Sequence, residues 1–217
     1  METYRTEDEQ LAAVKRWWKE NGKSLVIGVL LAIAAVFGWQ SWQANKQASG
    51  EAASEIYFSL IEAVALTNES QTSTVMHLAE QLKNDYGSLT YAQYGALLAA
   101  KQAVLEGDFE EAESQLSWAV DNADKAGSLH KVALLRLARV VAAQGGEDNQ
   151  QRALALIEGV DAGAHQASYD EVKGDIYLSL GREADARSAY QAAAAASETG
   201  ARPLLNLKLD DVAAEEG

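Results

Sequence analysis

Side chains able to carry out chemistry are few in this chain, and they stand apart from one another. The three histidines, His77, His130 and His165, lack H-E-x-x-H or any other spacing that would gather metal ligands. Cysteine is absent, which excludes thiolate nucleophiles and disulfides together. No G-x-S-x-G elbow occurs, and Gly145-Gly146-Glu147-Asp148 lacks the lysine that a phosphate loop requires. Asp121, Asn122 and Asp124 lack the glycine and distal glutamate of a calcium loop and read as a solvated helix end. Asn68-Glu69-Ser70 matches a glycosylation sequon, a pattern short enough to recur by chance. The expectation is no catalytic, metal or cofactor site: a protein that is not an enzyme and works through its surfaces.

The elements that would shape those surfaces are helices. Ala, Leu, Glu and Gln dominate, residues that lose little rotamer freedom in a helix, and the sole proline is Pro203. Gly87, Gly107, Gly127, Gly145, Gly163, Gly181 and Gly200 recur every eighteen to twenty residues, and each is expected to close a helix as a C-cap. Between them apolar residues fall at i, i+3 and i+4: Val75, Leu78, Ala79 and Leu82; Ala112, Leu116 and Ala119; Leu134, Leu137 and Val141; Val172 and Ile176. Helices of this length joined by short turns predict antiparallel pairs stacked as a solenoid.

Two segments fit a tetratricopeptide pattern of small and large residues at fixed offsets. VKGDIYLSLGREADARSAYQAA supplies Gly174, Tyr177, Gly181, Ala186, Tyr190 and Ala193; AAKQAVLEGDFEEAESQLSWA supplies Gly107, Ala112 and Ala119. Small positions let the two helices of a hairpin approach, and large ones fill the space beside them. In the usual register Tyr94, Leu97, Lys101, Leu135, Arg139 and Asp175 face a concave groove, the candidate protein-binding surface. Lys101 and Arg139 would take a carboxylate or a backbone carbonyl there.

Ahead of this domain lies LVIGVLLAIAAVFGW, Leu25 to Trp39, inside an uncharged run from Ser24 to Asn45. Twenty-two helical residues extend about 33 Å, against a hydrocarbon core of roughly 30 Å. Trp17 and Trp18 at one end and Trp39 and Trp42 at the other are placed as an aromatic belt. Lys15, Arg16, Lys19 and Lys23 precede the span, whereas Lys46 is the one cation after it before Lys83. The positive-inside rule then puts the N-terminus in the cytoplasm and the remainder across the membrane. The division expected is a cytoplasmic tail over 1–23, a transmembrane helix over 24–45 and an exported all-α domain over 46–217. A cleaved signal peptide is disfavoured, since no A-x-A-like site follows the apolar run.

Charge is as uneven as hydropathy. Residues 1–45 carry five basic and five acidic side chains, so the net −14 belongs wholly to residues 46–217, with thirteen basic against twenty-seven acidic. Such a surface repels phosphate backbones and anionic headgroups, which disfavours nucleic-acid binding.

Four stretches, EDEQLAAVKRWWKENGKSLVIGV (7–29), HKVALLRLARV (130–140), SLGREADARSAY (179–190) and LKLDDVA (207–213), resemble the YfgM family of bacterial inner-membrane proteins. The resemblance implies a single-pass type II anchor with a periplasmic tetratricopeptide-like domain. It further implies an ancillary subunit of the Sec translocon, partnered by the SecYEG channel and the periplasmic chaperone PpiD, that helps hand emerging secretory chains to chaperones. A second role attributed to family members, restraint of a stress-response regulator by the cytoplasmic tail, gives the alternative reading.

Overall fold

The computed structural model describes residues 7–66, 72–197 and 202–214; the Asn68 sequon and Gly200 lie outside them. Its order is α1 (Glu7–Ala65), α2 (Thr72–Tyr86), α3 (Thr90–Glu106), α4 (Phe109–Asn122), α5 (Ser128–Ala143), α6 (Glu147–Ile157), α7 (Gln166–Ser179), α8 (Glu183–Ala195) and α9 (Pro203–Ala214). A 3-10 turn at Gly163–His165 leads into α7, and no strand occurs among the described residues. The chain divides into two compact units, one ending at Glu51 and the other beginning at Ala52.

The first unit is helical, and the polar stretch through Gly50 continues the same helix. Of the described helices, α1 alone is long and apolar enough to cross a membrane. Leu30, Leu31, Ile33, Val36 and Phe37 are all exposed within the unit, as a segment solvated by lipid must be.

The second unit is a stack of helix hairpins. Leu60 and Ala63 at the end of α1 share a buried cluster with Val75, Ala79 and Leu82 of α2 and Ala92 and Ala99 of α3, and α2 packs on α3. Next come α3 with α4, α5 with α6 and α7 with α8, while α5 also meets α7, the first helix of the following hairpin. A continuous core runs from Ala96 and Leu97 through Leu116, Leu137 and Ile157 to Val172 and Ile176. Helix α9 closes the stack by laying Leu205 and Val212 against Ala186, Tyr190 and Ala193.

Turn chemistry fixes the hairpins. Gly107 takes φ +79, and its N–H and that of Asp108 close back on Val104 and Ala103 carbonyls at 3.1 and 2.9 Å, a Schellman ending. Asp108 then accepts from the Glu111 amide at 2.9 Å, so one residue ends α3 and caps α4. Gly181 repeats the geometry after α7, with Arg182 N–H on the Tyr177 carbonyl at 2.9 Å. Gly127 departs from expectation: at φ −76, ψ 153 it is the N-cap of α5, because Asp124 already turns the chain by accepting from the Ala126 amide.

Gly174 is the tightest small position. A methyl there would meet Tyr190 Cζ at 2.9 Å and overlap Cδ1 and Cε1. The absence of Cβ lets α7 lie directly on that ring. Ala112, Ala119, Ala186 and Ala193 are fully buried at the matching close approaches.

Candidate functional site

In the first unit, Trp17 and Trp18 are exposed on α1, and the Trp18 ring covers Gly22, whose absent Cβ would sit 3.1 Å from it. Trp39 and Trp42 lie with centroids 5.0 Å apart, and Lys46 Nζ stands 4.1 Å over the Trp42 ring. Apolar rings beside a cation at the end of an apolar run suit a membrane–water boundary. Lys15, Arg16, Lys19 and Lys23 are exposed on the preceding turns.

In the second unit, α3 and α5 are first helices of consecutive hairpins, and a cleft of about 340 Å³ lies between them. Leu97, Ala100 and Leu116 form its floor; Val104, Leu105 and Val140 form apolar walls, with Leu105 66% exposed. Lys101, Arg136 and Arg139 stand on its rim, all exposed. None of the three has an ion-pair or hydrogen-bond partner among the described residues. The helical step of 100° accounts for the arrangement, since Lys101 and Leu105 fall in line on α3 while Leu97 and Val104 turn toward α5.

Of the six residues expected in one groove, the structure brings Leu97, Lys101 and Arg139 together. Tyr94 is one ridge away, its ring 6.2 Å from Tyr57 in an aromatic group completed by Tyr91. Leu135 is buried in the core rather than lining the cleft. Asp175 is taken up elsewhere, at the end of the stack. There it accepts from Tyr190 Oη at 2.8 Å and pairs with Lys208 of α9 at 2.7 Å. Arg136, Val104 and Leu105 belong to the cleft and were not anticipated. The i, i+3 spacing of Arg136 and Arg139 was their available signal.

Four charged side chains, Glu171, Asp175, Arg202 and Lys208, meet at the α9 junction. Glu171, nearly buried, receives Arg202 at 2.5 Å and Lys208 at 2.9 Å. Burial pulls Lys208 down, but its bonds to Asp175 and Glu171 and their charge outweigh this, leaving it raised. Burial, then donation to Asp175, pushes Tyr190 up as well. Tyr169, buried and donating to the Lys131 carbonyl at 2.7 Å, is pushed up to about 12.

The histidines are joints or surface. His130 donates through Nδ1 to the Val120 carbonyl at 3.0 Å, His165 shares a 2.7 Å bond with Ser128, and His77 is exposed. No group of three potential metal ligands occurs among the described residues.

Stacked hairpins with left-handed turns, small-on-large packing and a cleft between first helices define a tetratricopeptide-like protein, here with a candidate membrane anchor. The tetratricopeptide repeat-like domain family matches residues 15–214. Over 214 residues the chain is 32% identical to the ancillary SecYEG translocon subunit of Escherichia coli (strain K12), covering 98% of this chain and 99% of that protein. The ancillary SecYEG translocon subunit of Haemophilus influenzae is 27% identical over 206 residues, 95% of this chain and 97% of that one. That of Neisseria gonorrhoeae is 24% identical over 214 residues, 98% and 100% of the two chains. The chain belongs to this family, YfgM, within the tetratricopeptide repeat-like proteins.

Proposed function

We propose that the protein is a non-catalytic ancillary subunit of the Sec translocon in the bacterial inner membrane. Residues 24–45 cross the bilayer, 1–23 remain in the cytoplasm, and 46–217 form a periplasmic interaction domain. The reading rests on the likeness to the Escherichia coli subunit extending through anchor and hairpin stack alike, over 98% of this chain. In it, the domain is held beside SecYEG, docks the chaperone PpiD and meets emerging secretory chains. Its docking surface is the cleft of Leu97, Lys101, Val104, Leu105, Arg136 and Arg139. Tyr94 extends that surface toward α1.

Photoreactive probes at exposed positions along residues 52–214, crosslinked in intact membranes, test this reading. Crosslinks to channel subunits and to PpiD or exported chains are expected. Recovery of neither would sink it.

A further inference from the structure

The three rim cations stand together on one apolar cleft with no ion pair among the described residues. Among the described residues of the second unit, Lys83, Arg152, Lys173, Arg182, Arg202 and Lys208 each hold a carboxylate within 3.1 Å. This is what a strongly acidic domain should do with its scarce positive charge. Lys101, Arg136 and Arg139 hold none, as Lys125 and Lys131 hold none, but these three converge on one apolar cleft from two helices. Like charges brought together beside exposed Val104 and Leu105 repel one another and keep apolar surface wet. An occupant that brings carboxylates to the rim and an apolar side chain to the floor relieves both costs at once.

We propose that this cleft selects acidic polypeptide segments, a large apolar side chain flanked by aspartates or glutamates, over unfolded chain in general. The inference rests on the cleft being the docking surface described above, and it narrows the occupant. Unfolded chain of ordinary composition offers as many cations as anions. The rim would disfavour the cations, so the partner is one with an acidic docking motif. A volume of about 340 Å³ suits one or two side chains, so recognition is local to a short segment.

The test uses the full chain in dodecyl maltoside micelles and a fluorescein-labelled peptide, GSEELFEESG, with binding read by anisotropy. Three controls replace its glutamates by glutamine, its glutamates by lysine, or its Leu-Phe pair by serines. The acidic peptide is expected to bind about tenfold more tightly than the glutamine one, since three solvent-exposed charge contacts each add only a little. The margin should shrink at high salt and close in the triple variant Lys101→Gln, Arg136→Gln, Arg139→Gln. These side chains are exposed, so an unchanged melting temperature shows that the variant folds. The serine peptide should also bind weakly.

Equal binding of the glutamate and glutamine peptides, lost in Leu105→Asp, would overturn the acidic preference while leaving the cleft as a docking surface. Acid-dependent binding that survives both Leu105→Asp and the triple variant would place it elsewhere and remove the cleft reading itself.

Discussion

At the scale of single residues, the hairpin stack depends on a few positions where one atom decides the packing. Gly174 is the sharpest. Alanine there must displace the Tyr190 ring, which is buried and held by its bond to Asp175, so it cannot swing aside. Overpacking of this kind costs about 1–3 kcal/mol. Gly174→Ala should therefore lower the melting temperature by several degrees, and Tyr190→Leu in the same chain should recover part of the loss. If the two losses simply add in calorimetry, the contact is not the cause. Gly107 works through the backbone instead: with φ +79 and open space around it, alanine meets no neighbour but must adopt a left-handed conformation. That costs roughly 1 kcal/mol, and urea melts of Gly107→Ala should show it with an unchanged m-value.

Helices behave as units whose ends are fixed by charge, and α9 shows this most clearly. Its apolar contribution is small, Leu205 and Val212 on the last hairpin, so its place depends on Arg202 and Lys208 holding Glu171 and Asp175. Lys208 and Tyr190 both keep their protons more tightly folded than unfolded. Their stabilisation is complete below the unfolded values near 10 and is lost as pH rises through the raised folded ones. Thermal melts between about pH 9 and 12 should show an alkaline fall that sets in near 10 and is blunted in Lys208→Gln. A fall of equal size in that variant would assign it to other groups. Much of this architecture was legible in advance, because helical periodicity and the glycine spacing are local signals. What was not legible depends on which helix follows which. Asp175 occupies a groove position by repeat register, but the sequence does not announce that α9 arrives to claim it. Leu135 failed as a groove residue for a related reason, since apolar side chains at the edge of a stripe are divided between core and surface by packing alone. Arg136 was missed because repeat register singles out Leu135 and Arg139 on α5, whereas the cleft draws on Arg136, Arg139 and Val140.

At the scale of the whole molecule, the proposed anchor and the proposed docking cleft act together. On that reading, three exposed cations and a small apolar floor give modest affinity, and a tether that confines the cleft near its partner supplies an effective concentration on the order of millimolar. An intrinsic Kd of tens of micromolar would then be nearly saturated at the membrane and mostly empty in free solution. Replacing residues 1–45 by an unrelated single-pass anchor of the same orientation should keep translocon crosslinks close to their normal yield. Release of the domain without any anchor should cut the yield by about tenfold or more, because only concentration has changed. The comparison also exposes a second contribution. If the unrelated anchor fails as badly as the released domain, then Lys15, Arg16, Trp17, Trp18, Lys19 and Lys23 contact the channel directly, and returning residues 15–23 alone should restore the crosslink. Equal yields from the anchored and the released domain would show that the groove binds tightly by itself and that the membrane segment contributes location without affinity.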